Sequence, residues 1–216
     1  MTATVKTDHA LERLAFFSDA VFAIAITLLI LEVHVPELPR GSSNTAYLQA
    51  LANLVPSLIG YVVSFWVVGM FWIGHHRAFS LASRHSPKML GWNLFLLGVI
   101  AFMPFATAFL SLNVTGRVPT LFYCVTLLAA ALLNMKVVRI ATGPEMVDPQ
   151  ADPATILYSR RRAPSVVLGA MSAIAVGLFV PRLAQIALAT IPAWRWLLVR
   201  GLPAPGRGRP TVNQSS

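Results

Sequence analysis

Residues 13–32 read Arg-Leu-Ala-Phe-Phe-Ser-Asp-Ala-Val-Phe-Ala-Ile-Ala-Ile-Thr-Leu-Leu-Ile-Leu-Glu. Between Arg13 and Glu32 the one charge is Asp19, and neither glycine nor proline interrupts the run. A bilayer core about 30 Å thick is crossed by about 20 mostly apolar helical residues, so the stretch reads as a membrane helix. An ionisable group several positions inside such a helix is costly and marks a functional site by default. Asp19 is therefore the first candidate functional residue.

The rest of the chain has the same character. Of its 216 residues 56% are hydrophobic and 12% charged, whereas a soluble domain carries about 25% charged residues. Long apolar runs lie at 14–35, within 47–74, at 89–112, at 118–138 and at 164–181; a sixth, 183–199, is interrupted by Pro192 and Arg195. The predicted fold is all-α: a polytopic membrane protein with six transmembrane helices per subunit, formed by residues 1–200. Residues 142–155, with their prolines and aspartates, read as a loop. From Gly201 to Ser216 the chain is too poor in apolar side chains to pack, which predicts a disordered tail. The N-terminus does not read as a cleaved leader, since Asp8, Glu12 and Asp19 are acidic and no small-residue cleavage site follows the apolar run.

The formal net charge is +9. Lys and Arg cluster at the ends of apolar runs rather than along a polar helix with exposed aromatics, which speaks for orientation in a bilayer and against nucleic acid. With six crossings, fourteen of the seventeen basic residues fall on one side, and only Arg40, Arg117 and Arg182 on the other. The positive-inside rule then puts both termini in the cytoplasm. The triplet Arg160 to Arg162 has the composition of a site for anionic lipid, but it reads first as part of this topology signal. Cys124, the single cysteine, lies in an apolar run and reads as a small apolar residue. No cofactor and no metal site is expected.

This topology gathers the cytoplasmic ends of the first three helices into one layer. It contains Arg13, Ser18 and Asp19 from the first, Trp72, His75 and His76 from the second, and Asn93 from the third. Donors from Trp, His and Asn would satisfy the buried oxygens of a carboxylate. Arg13 is six residues from Asp19, about 240° round a helix, so it is expected to pair with another helix instead.

The pattern Arg13-x-x-x-Phe17-Ser18-Asp19 resembles the signature of the endosomal and lysosomal potassium channel family. Phe71-Trp72-Ile73-Gly74-His75-His76-Arg77 is similar to that family's second-helix ending, and Asn93-Leu-Phe-Leu-Leu with Phe102-Met-Pro104-Phe105 to its third helix. The resemblance covers about the first half of the chain. It implies a potassium-preferring cation channel of leak type, not an enzyme, with potassium as the permeant ion. It also implies a pore lined by the first helix in a homotetramer, with a constriction at Ile24, further apolar rings at Leu28 or Leu31, and a hydroxyl at Thr27. An apolar ring gates by dewetting. No Thr-Val-Gly-Tyr-Gly segment occurs, so a carbonyl-lined filter is absent and modest discrimination between potassium and sodium is expected. A single pore helix cannot enclose a path, so subunits have to assemble.

Two other functions compete. A proton- or ion-coupled transporter would use Asp19 and the helix-two histidines as a relay, though two matching halves with paired broken helices are missing. An intramembrane enzyme would need a motif such as His-Glu-x-x-His, which does not occur; adjacent His75 and His76 diverge by about 100°. The expected setting is the plasma membrane of a prokaryote, with lipid and monovalent cations as partners.

Overall fold

The computed structural model describes residues 9–113 and 115–202, all in helices and their connections apart from one isolated antiparallel bridge between Ala82 and Val147. The helices are α1 His9–Leu31, α2 Asn44–Asn53, α3 Val55–Phe79, α4 Pro87–Ser111, α5 Arg117–Ala141, α6 Pro153–Arg162, α7 Pro164–Phe179, α8 Ala184–Ala187 and α9 Ile191–Val199. Most of the expected tail, residues 203–216, lies outside the described residues.

Five helical stretches are long and apolar enough to cross a membrane: α1, α3, α4, α5 and the α6–α7 pair spanning Pro153–Phe179. Their limits differ from the apolar runs where proline intervenes. The first run reaches Val35, but α1 stops at Leu31, five residues ahead of Pro36. The second run is not one helix: Pro56 begins α3, and the chain turns at Leu54 to leave α2 as a separate short helix. Ser43 caps α2 by accepting the Ala46 N–H at 3.2 Å, and Ser86 caps α4 by accepting that of Met89 at 3.1 Å.

The last apolar segment also departs from a single helix. It forms a 3₁₀ turn at Pro181–Leu183, then α8, a second 3₁₀ turn at Leu188–Thr190, and the nine-residue α9. Pro192 cannot continue a helix from the preceding residues, so α9 starts beside it. By itself α9 is about 14 Å long, under half a bilayer core.

The core is built on α4, which packs against α1, α3 and α5, while α7 links α5 to α9. Phe22, Phe71, Met89, Leu96, Ile100, Met103, Tyr123 and Leu127 are fully buried between these helices. Outside, large apolar side chains face outward all round, including Phe16, Phe95, Val118 and Phe179. A surface of this kind is a liability in water and needs no masking in lipid. At one end the loop before α4 is tied to the loop before α6, where Ser83 N–H donates to the Met146 carbonyl at 2.8 Å and Asp148 N–H to that of Leu81 at 2.9 Å.

Gly169 decides how the final segment docks. A Cβ at this position would collide with the Ile191 side chain, which α9 seats against α7. Nearby, Trp194 Nε1 donates to Ser172 Oγ at 3.3 Å. Gly169→Val is expected to force α9 off α7 and to cost about 1–3 kcal/mol of stability, the usual price of overpacking. Gly91→Ala, where a Cβ meets nothing within 4 Å, is expected to leave stability unchanged or slightly raised. Thermal unfolding of the purified protein in detergent checks both.

Candidate functional site: a polar layer anchoring the first helix

The buried residues of α1 are Leu11, Leu14, Ser18, Phe22, Ala25 and Leu29, spaced three or four apart. That spacing aligns them on one helical face, which is pressed against α3 and α4. Ser18 is the polar member of the face and is fully buried. Its hydroxyl donates to the Leu14 carbonyl at 2.7 Å, so the oxygen is free to accept from Asn93 Nδ2 at 2.9 Å. With the Asn93 amide nitrogen so engaged, its Oδ1 faces His75 Nε2 at 2.7 Å. Nε2 is thus the ring nitrogen that carries hydrogen and donates. The His75 ring stacks on Phe79, centroids 4.0 Å apart, and is tilted against Phe22 at 5.4 Å. One chain of hydrogen bonds therefore joins α1, α4 and α3.

Asp19, the next residue, points to the rim of this layer. Trp72 Nε1 donates to its Oδ1 at 2.9 Å, and His76 Nδ1 lies 3.9 Å from Oδ2. Trp72 and His76 pack against each other, centroids 5.6 Å apart. The Asp19 side chain stays about one-third exposed, so its second oxygen can reach solvent or another subunit.

Six of the seven residues expected in the layer thus come together. Arg13 does not: it is exposed and pairs with no other helix among the described residues of this one chain. The reason is angular, since Arg13 lies about 20° from Ile24 round the helix and points away from α3 and α4. Phe17, Ile24, Leu28 and Leu31 share this outward stripe, within about 40° of Ile24, and are all exposed. Thr27 borders it; its hydroxyl oxygen lies 3.0 Å from the Ala23 carbonyl and 2.9 Å from that of Ile24. Its proton is spent on its own helix, so the oxygen offers lone pairs outward.

Sequence reasoning missed a second polar cluster. Ser64 Oγ lies 3.0 Å from the Tyr123 hydroxyl and 2.9 Å from Thr107 Oγ1, which in turn is 2.8 Å from the Met103 carbonyl. All three residues are buried and tie α3, α4 and α5 together. Isolated hydroxyls inside apolar runs were the available signal. Among the described residues no group of three or more His, Cys, Asp or Glu could hold a metal ion.

Asn93→Leu leaves the His75 N–H buried without a partner, at about 1–3 kcal/mol, and takes from the Ser18 oxygen the one hydrogen bond it accepts. Trp72→Phe removes one donor from a carboxylate about one-third exposed, which water can serve instead. The expected order of melting temperatures is wild type, then Trp72→Phe close below, then Asn93→Leu well below.

The model of the family described as the endosomal/lysosomal potassium channel TMEM175 matches residues 13–104, a stretch that holds the whole polar layer. A potassium channel of Chamaesiphon minutus is 36% identical over 144 residues, covering 65% of this chain and 70% of that protein. One of Streptomyces collinus is 43% identical over 99 residues, 46% of this chain and 47% of the relative. The endosomal/lysosomal proton channel TMEM175 of Danio rerio is 34% identical over 100 residues, only 19% of its own length. Among solved structures, the crystal structure of a lysosomal potassium-selective channel TMEM175 homolog from Chamaesiphon minutus superposes with a TM-score of 0.74 at 26% identity, covering 88% of this chain and 99% of that one. By family model, by relatives and by fold, this chain belongs to the TMEM175 family.

Proposed function

We propose that the chain is the subunit of a potassium-preferring channel of leak type, a homotetramer in which copies of α1 line the pore. Potassium conduction follows the bacterial relatives, both of which are named potassium channels. The carrying observation for the pore is the division of α1 into two faces. One is locked to α3 and α4 through Ser18, Asn93 and His75, and the other presents Ile24, Leu28 and Leu31 outward. A rigidly held apolar stripe, repeated around an axis, makes rings of branched side chains. Such rings withhold the water a cation needs until they widen. Thr27 offers a hydroxyl oxygen with its proton already engaged, a suitable ligand for a dehydrating potassium ion. No cofactor enters this mechanism.

Six crossings with both ends in the cytoplasm complete the reading. The helical residues from Pro181 to Val199 number nineteen and extend about 28 Å, enough to return the chain across the bilayer despite their breaks. Arg40, Arg117 and Arg182 would then be the only basic residues outside. Bacterial relatives favour the plasma membrane of a prokaryote as the setting.

A second reading, proton conduction, is favoured by the name of the animal relatives and by the nearness of Asp19 to His76. Both readings are separated by current through purified protein in planar bilayers. With potassium on one side and sodium on the other, the reversal potential is expected to move toward potassium equilibrium and to ignore a pH gradient. Ile24→Asn wets the constriction: a barrier lower by about 1.4 kcal/mol gives about tenfold more current, with the reversal potential drawn toward zero. No current from the wild-type protein would contradict the channel, and a reversal potential that follows pH would favour protons.

A further inference from the structure

Away from α1, the helices α3, α6 and α9 enclose an open groove of about 460 Å³. Tyr158, Arg162 and Arg195 line it, and its walls include Trp66, Ile73 and Trp196. Arg195 Nη2 donates to the Tyr158 hydroxyl at 2.9 Å, and the Arg77 guanidinium sits over the Tyr158 ring, 5.7 Å from its centroid. Arg162 is buried, 8% exposed, and its Nη2 reaches the Met70 carbonyl at a long 3.4 Å. Three guanidinium groups thus converge on one phenol.

This cluster is short of negative charge. Among the described residues no carboxylate forms an ion pair with any of the three arginines; the ion pairs found are those of His9 with Glu12 and His76 with Asp19. A buried guanidinium has five donors in a planar fork and is strongly unfavourable without an anion to receive them. Beside Arg162 lies a second, enclosed space of about 20 Å³ lined in part by Asn134 and Ser159. Both residues are buried, 6% exposed each, and Asn134 Oδ1 and Ser159 Oγ have no hydrogen-bond partner. The space holds about one water, which would join these atoms to the arginine cluster.

From the basic end the groove runs past Trp66 and Pro192 into a wider, mostly apolar trough of about 590 Å³ along Ile59, Val62 and Val63 of α3, with Arg182 and Gln185 also in its lining. Between Ile73 and Ile59 the α3 wall is about 21 Å long, somewhat more than one leaflet of hydrocarbon at about 15 Å. The ligand that fits a basic fork at the end of such a trough has an anionic phosphodiester and a long apolar tail. We propose that this groove is a binding site for an anionic phospholipid, its phosphate held by Arg162 and Arg195 and its acyl chain lying along α3. Because Arg195 donates to the Tyr158 oxygen, the phenol proton remains available for the phosphate. Basic pockets between membrane helices recognise acidic headgroups in this way.

Native mass spectrometry of the full-length, delipidated protein, titrated with dioleoyl phosphatidylglycerol or dioleoyl phosphatidylcholine, tests the site. The acidic lipid is expected to bind about thirtyfold more tightly, from two arginines at the headgroup, and Arg195→Gln to lose about fivefold of that preference. Arg117→Gln, at the start of α5, is expected to keep it. Trp196→Ala, at a side chain 62% exposed and so dispensable for folding, is expected to weaken both lipids while sparing the ratio. Inorganic phosphate at millimolar concentration is expected not to displace the lipid. Equal binding of the two lipids, an unchanged preference in Arg195→Gln, or displacement by phosphate alone would overturn the site. So would a changed subunit stoichiometry in Arg195→Gln with unchanged lipid count, which would make the groove a subunit interface.

Discussion

Inside a bilayer a buried polar group finds no bulk water, so the donors and acceptors on a membrane helix have to be answered by the protein or by a water it encloses. The run from the Leu14 carbonyl through Ser18 and Asn93 to His75 meets that demand, with the Ser18 hydroxyl both donating and accepting. It also fixes the rotation of α1 about its own axis, because a turn of the helix by a few tens of degrees would part Ser18 from Asn93 and leave the Asn93 amide N–H buried without its acceptor. Apolar packing alone does not impose this. Leucine, isoleucine and phenylalanine surround α1 and can exchange lipid for protein at little cost.

Everything proposed for conduction inherits this fixed rotation. With Ser18 facing Asn93, the stripe of Phe17, Ile24, Leu28 and Leu31 has to face away from the subunit's core. Asp19, at the edge of both regions, is held by Trp72 yet remains partly open, so the carboxylate sits where an anchored layer borders a free surface. The hydroxyl cluster of Ser64, Thr107 and Tyr123 fixes α5 against α3 and α4 by the same logic. The basic groove lies elsewhere, on α3, α6 and α9, and takes its charge from Arg162 and Arg195, whose places in the sequence spoke first for topology.

Much of this was legible in the residues themselves. Long apolar runs placed five of the membrane helices, and the isolated Asp19, Trp72, His75, His76 and Asn93 marked the layer that forms. What was not legible depends on geometry that no run of letters carries. Pro56 splits the second run, because proline removes a donor at one definite turn, and two 3₁₀ turns join Pro192 in breaking the last. Arg13 was expected to bridge to another helix, but its angle on α1 sends it outward. Arg160 to Arg162 looked alike in sequence, yet Arg160 donates to Thr142, Arg161 is exposed and Arg162 is buried beside Met70. Spacing could not separate them without knowing which face α6 turns to its neighbours.

The central claim is that the outward stripe of α1 borders the ion path and does not merely touch lipid. Thiol modification tests it directly: Ile24→Cys is placed on the stripe and Phe95→Cys on the exposed face of α4, while native Cys124 is buried and sheltered from the reagent. The account predicts that a charged, water-soluble thiol reagent stops potassium current through Ile24→Cys and leaves both Phe95→Cys and the wild-type protein conducting. Full current through modified Ile24→Cys would contradict it.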